Sequence, residues 1–167
     1  MSAGAQPDAD ADQTVQQIEV PRRARALSTL DHVDYADTFR FGVDGHDRRT
    51  PEEWARTALE LAPAGVRRTL RSGWTAIGLK LDGAPPDRSV LGWEIRQSTP
   101  GYVLLGAPSR IGMAGELLFK REPSELLFAT LVQFDNSAAR HVWAGVQPVH
   151  VPVVRSVLER ASRTSWP

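Results

Sequence analysis

Four histidines and a scatter of carboxylates are the side chains in this sequence best suited to chemistry. His32, His46, His141 and His150 form no H-x-x-x-H or H-E-x-x-H pair, the spacings that set two imidazoles around zinc on one helical face. Asp44, His46 and Asp47 bring an imidazole and two carboxylates close together, a set that a metal could use. They fall in a polar turn before a capped helix, where solvated side chains are the plainer reading. His150 is expected where a last strand enters a C-terminal helix. There it could touch a ligand or move a proton, or simply bond nearby backbone and fix the helix entry. Glu94, Arg96 and Glu116 are the charged residues on strands, and alternation with Trp93, Ile95 and Leu117 assigns them to the outer face. Facing inward, they would be costly to bury and would mark a functional site. Thr130 and Gln133 are the polar members of an otherwise apolar strand and point to opposite faces. No G-x-S-x-G elbow, phosphate-binding loop or strand-borne G-x-G-x-x-G is present. No catalytic residue can be assigned, and neither a metal nor a cofactor is expected.

Composition narrows the classes further. Cysteine is absent, which removes disulfides, thiolate metal sites and cysteine nucleophiles. Lys+Arg and Asp+Glu both number 20, so the positive excess that phosphate binding requires is missing and nucleic acid is not an expected partner. Nearly all the basic residues are Arg, which reads mainly as a coding bias. The first twelve residues lack the basic start and apolar core of a secretory signal. No stretch approaches the roughly 18 apolar residues of a membrane span. The expected compartment is the cytoplasm; oligomeric state is not legible.

These side chains need elements to position them. Residues 1–24 are small, acidic and polar, and are expected to form a disordered tail; its Asp8, Asp10 and Asp12 read as solvated rather than metal-sensing. One domain is expected over residues 25–163. Phe39, Phe41 and Val43 alternate as in a half-buried strand. Thr50-Pro51-Glu52-Glu53 is a capping box with Pro at the first helical position. Trp54, Ala58 and Leu61 then share one helical face. Beyond Pro63, Val66, Leu70, Trp74 and Ile77 form the stripe of a second helix. From Ser89 the period becomes two. Strands are expected at 89–96, 102–107, 113–120, 125–134 and 140–147, in an antiparallel meander. The near-continuous apolarity of 125–134 implies cover on both faces. A helix over about 152–162, with Val154, Leu158 and Ala161 inward, closes the chain.

The order is therefore strand, two helices, antiparallel strands and a long C-terminal helix. It resembles the helix-grip layout of the START and polyketide-cyclase superfamily, which includes the birch-pollen-allergen-like proteins. Three stretches are similar to a family of uncharacterised bacterial proteins placed near it: Asp34-Tyr35-Ala36-Asp37-Thr38-Phe39, Leu70-Arg71 through Gly78-Leu79, and Trp143-Ala144-Gly145-Val146-Gln147-Pro148-Val149-His150. The resemblance implies an α+β fold in which a curved antiparallel sheet wraps the C-terminal helix around an apolar cavity. It also implies binding of a small hydrophobic molecule of lipid, polyketide or steroid type. Trp93, Ile95, Met113, Leu117, Phe128, Trp143, His150, Val154 and Val157 are the expected lining. A noncatalytic carrier or sensor is the leading reading. A cyclase or dehydratase using His150 or another cavity-facing polar residue is the second. A structural or interaction module with a filled cavity is the third.

Overall fold

A computed structural model describes residues 14–167. The protein is α+β, with one seven-stranded, wholly antiparallel open sheet in the order β1-β2-β7-β6-β5-β4-β3. The strands are β1 (Gln16–Ile18), β2 (Tyr35–Gly42), β3 (Ser89–Val90), β4 (Trp93–Ser98), β5 (Tyr102–Ala107), β6 (Gly115–Arg121) and β7 (Glu125–Val132). The helices are α1 (Arg22–Arg25), α2 (Pro51–Leu59), α3 (Ala64–Ala76) and α4 (Ser137–Ser162).

Register sorts the side chains. Tyr35, Asp37, Phe39 and Phe41 pair with Val132, Thr130, Phe128 and Leu126, and Thr130 and Phe128 pair in turn with Leu117 and Phe119. Because strand side chains alternate, these share the inner face. It is covered by α2 and α4, with Trp54, Ala55, Val157, Leu158 and Ala161 in the same buried cluster. Leu104, Leu118 and Ala129 occupy the opposite face and pack against Ala24 and Leu27. The sheet is thus covered on both sides, as the apolarity of β7 implied.

The capping box forms as read. Thr50 Oγ1 accepts from the Glu53 amide at 3.2 Å, and Glu53 Oε2 accepts from the Thr50 amide at 2.7 Å. Thr50→Ala removes one side of this exchange and is expected to cost about 1 kcal/mol. Denaturant unfolding checks it, and unchanged stability means that water replaces the hydroxyl well. The neighbouring Asp44–Asp47 turn spends its carboxylates locally. Asp44 Oδ1 accepts from the His46 amide at 2.7 Å, and Asp47 holds the Arg49 guanidinium through both oxygens.

Three expectations need correction. Residues 14–24 are not a disordered tail. Gln16–Ile18 pairs with β2, Val15 is 1% exposed, and Arg155 donates to the Val15 carbonyl at 2.7 Å. Val15 is spent on a buried contact, Ile18 and Val20 are half-buried, and the chain then crosses the outer face, where Ala24 is buried. Residues 1–13 of the expected tail lie outside the described residues. Second, the segment expected as one strand over 89–96 is a tight hairpin, with Val90 paired to Trp93. Leu91 and Gly92 both have positive φ, 47° and 91°, as the favoured two-residue hairpin turn requires. Strain at Leu91 is held by a bond from its amide to Glu60 Oε1 and one from Arg71 Nη1 to its carbonyl.

Third, the expected strand at 140–147 is helix. α4 is capped by Asn136, whose side chain accepts from the Ala139 amide at 2.8 Å, and runs from Ser137 through Pro148 and Pro152 to Ser162. Each proline lacks an N–H and should break a buried helix. Both stand on the exposed side of α4, where water can meet the carbonyls they leave unpaired. The inward stripe Ala139, Trp143, Val146 and His150 has helical spacing and continues to Val157, Leu158 and Ala161.

Candidate functional site

α4 is anchored by its two ends. Ala139 and Trp143 are buried near one end, Val157, Leu158 and Ala161 near the other, and no residue from 144 to 156 is fully buried. α3 lies beside this middle stretch and buries no residue completely either. Between them runs an apolar surface groove of about 740 Å³, lined by Val66 and Leu70 of α3 and by Val149, Val153 and Val157 of α4. Behind it, against the inner face of the sheet, is a smaller and more enclosed pocket of about 60 Å³. Its walls are Leu59, Leu70, Trp74, Leu117, Phe119, Phe128, Val153, Val154, Val157 and Leu158, and its only polar lining residue is His150. Leu70, Val153 and Val157 belong to both spaces and form the partition between them.

His150 is fixed from behind. Its Nε2 lies 3.0 Å from Asp37 Oδ2, and the Tyr35 hydroxyl donates to the same oxygen at 2.7 Å. A carboxylate only accepts, so the imidazole proton sits on Nε2. The Asp37 side chain is 2% exposed and that of His150 15%. The Trp143 ring stands 5.0 Å from the imidazole and 4.8 Å from the Tyr35 ring, walling the group from the side. Burial, and then the hydrogen bond and charge of Asp37, push the Tyr35 phenol above its ordinary value, so it remains a donor over the working pH range.

This corner holds more polar capacity than it spends. Asp37 Oδ1, Thr130 Oγ1 and Trp143 Nε1 are buried without a hydrogen-bond partner among the described residues. Thr130 is the register partner of Asp37 on β7. Native interiors leave few such groups unpaired; five more side-chain atoms, on Thr38, Trp54, Arg67, Trp93 and Arg121, are unpaired elsewhere among the described residues.

The chain matches no protein-family model, no curated protein and no solved structure.

Of the expected lining residues, Leu117, Phe128, His150, Val154 and Val157 do meet around the enclosed pocket. Trp93 and Ile95 pack in the inner-face core and do not line the pocket; the Trp93 ring stands 5.3 Å from that of Trp74, which does. Met113 and Trp143 fall in a separate cluster with Val132 and Phe134, which meets His150 through the Trp143 ring. His150 is not at a strand-to-helix junction but in the middle of α4. Sequence reading passed over Asp37. The signal was available: stepping back by twos from Phe41 and Phe39 lands on Asp37 and Tyr35, which places a carboxylate on the inner face.

α3 is the element best suited to yield. It carries Gly65 and Gly73, and a Cβ at Gly73 would meet nothing within 4 Å. Gly73→Ala is expected to stabilise the protein by roughly 0.5–1 kcal/mol, because glycine inside a helix costs about that relative to alanine. Thermal unfolding checks it; a loss of stability means that α3 needs the freedom even in its closed position.

Proposed function

We propose that the protein binds a small, largely apolar molecule between α3, α4 and the inner face of the sheet, as a noncatalytic carrier or sensor. The observation that carries this reading is the lining of the enclosed pocket, apolar throughout except for His150 at one place. Ligand sites of this kind are mostly apolar, with few polar groups that fix orientation. The antiparallel sheet packed on a C-terminal helix is compatible with the helix-grip layout that the order of elements resembles. Two of the stretches behind that resemblance supply Tyr35, Asp37, Trp143 and His150.

The enclosed space, about 60 Å³, is smaller than the engineered cavity of about 150 Å³ that admits benzene. Occupancy therefore requires the partition to part. Movement of Leu70 with α3 joins the pocket to the 740 Å³ groove and reaches the range of drug-sized sites, about 300–1,000 Å³. Titration with the neutral fluorophore N-phenyl-1-naphthylamine tests the reading. Saturable enhancement at one probe per chain is expected. Absence of any enhancement leaves a module whose core is closed by its own side chains. A second reading, acid–base catalysis, is favoured by one feature: Asp37 orients the His150 ring as a carboxylate orients a general base.

A further inference from the structure

We infer that the ligand of this pocket is a neutral apolar molecule carrying a hydroxyl group, an alcohol or a phenol, whose O–H donates to Nδ1 of His150. This rests on the ligand-binding reading above and adds the polar end of the ligand to it.

Three observations carry it. With Nε2 committed to Asp37, Nδ1 is left over and makes no hydrogen bond among the described residues; in the uncharged ring it carries a lone pair. His150 is the one polar residue on the wall of the enclosed pocket, while Thr69, Ser156 and Arg160 line the groove beyond the partition, so a polar group that enters the enclosed part meets the imidazole. The remaining polar atoms of the corner are sealed off. Asp37 Oδ1, Thr130 Oγ1 and Trp143 Nε1 are buried from solvent, and the Tyr35 proton is spent on Asp37.

The sealed carboxylate also decides against other polar groups. An anionic head, such as a fatty-acid carboxylate, needs donors, and the neutral ring gives it none. Placed at His150 it would also be brought towards the charge of Asp37 without a cation between them, since no Lys or Arg lines the enclosed pocket and Arg160 lines only the groove beyond the partition. An ammonium head would lose its hydration against an apolar wall and could not reach Asp37, which lies behind the imidazole. An ether or ketone brings a second acceptor to an acceptor. A neutral donor supplies the missing proton without charge, and the hydroxyl is the smallest such group to bring into an apolar pocket. Asp37 is then a positioning residue: it keeps the proton on Nε2 and so keeps Nδ1 an acceptor. Tyr35 holds Asp37 in turn.

The test uses the full chain and three probes of one shape at neutral pH: 2-naphthol, 2-methoxynaphthalene and 2-naphthoate. The expected order is naphthol tightest, at least about ten-fold over the methoxy compound, because methylation leaves a desolvated acceptor unpaired. Naphthoate is expected weakest. In a long-range proton–nitrogen spectrum the Nδ1 signal of His150 is expected to move with naphthol and to stay in place with the methoxy compound. His150→Leu is expected to bring the naphthol-to-methoxy ratio to about one while the methoxy compound still binds. Equal binding of naphthol and its methyl ether by the wild type, or preference for naphthoate, overturns the inference and leaves the apolar pocket standing. Binding of none of the three overturns the ligand-binding reading beneath it. Because the wild-type comparison and the nitrogen shift need no substitution, a misfolded variant cannot rescue or sink the claim.

Discussion

Replacing Glu116 by Ala is expected to lower the unfolding free energy by about 3 kcal/mol, the largest loss predicted for any single polar side chain here. Glu116 stands on the outer face of β6, where alternation placed it, yet it is 2% exposed. Its carboxylate accepts from Ser28 Oγ at 2.6 Å, from the Thr29 amide at 3.0 Å, and from Thr29 Oγ1. Bonds to a charged acceptor contribute about 1.5–3 kcal/mol each when partly buried, and truncation strands the donors as well. The sum is discounted because water can reach part of the loop. Glu116→Gln keeps the shape without the charge and is expected to lose about half as much. Chemical denaturation measures both. The loss should appear first as faster amide exchange around residues 24–29, because Glu116 ties that crossing segment to the sheet. Wild-type stability in the Ala variant would mean that Ala24 and Leu27 hold the segment by apolar contact alone.

Glu116 also shows where the sequence was legible and where it was not. Its face followed from a period of two, a property of the strand itself. Its burial did not, because what covers the outer face comes from a segment nearly ninety residues earlier in the chain. Val15, Ala24 and Leu27 are too sparse to register as a periodic pattern; tertiary contacts bury the first two and half-bury the third. The same limit explains α4. Gly145, Pro148 and Pro152 are poor helix residues, and their local penalty outweighed the spacing of Ala139, Trp143, Val146 and His150. Packing of both helix ends against the sheet reversed that balance. β2, the capped start of α2, and β5 to β7 were readable because their signals are local: alternation, a capping box and turn residues.

The candidate site divides the same way. The apolar wall at Leu117, Phe128, Val154 and Val157 was readable, since inner-face alternation and a helical stripe must converge if sheet and helix pack. The polar corner was not, because it needs Asp37 and His150 to be brought together across 113 positions of sequence. Nothing in the spacing of either residue encodes that meeting. It arises because β2 pairs with β7 and α4 follows directly from β7 across the inner face.

Val157→Phe is expected to abolish uptake of N-phenyl-1-naphthylamine, with affinity reduced at least about ten-fold, while leaving stability within roughly 1 kcal/mol of the wild type. Val157 is 8% exposed and lies in the partition between pocket and groove, so a ring placed there occupies the space a ligand would take. In a filled core the same change forces off-rotamer side chains and costs about 1–3 kcal/mol. Here the pocket offers about 60 Å³ behind Val157, and the groove opens in front of it. The ring therefore has somewhere to go without displacing the sheet. Val157→Ala supplies the opposite sign. It removes buried contacts and widens the partition, so stability should fall by about 1–2 kcal/mol while probe binding persists. Thermal unfolding and fluorescence titration read both variants. Ordinary core behaviour couples fit and stability, so that the smaller and the larger side chain both destabilise. A binding cavity decouples them: the larger side chain protects the fold and removes the function, and the smaller one weakens the fold and spares the function. Strong destabilisation by Val157→Phe, with no probe bound by the wild type, would leave the pocket as a packing defect in a closed core.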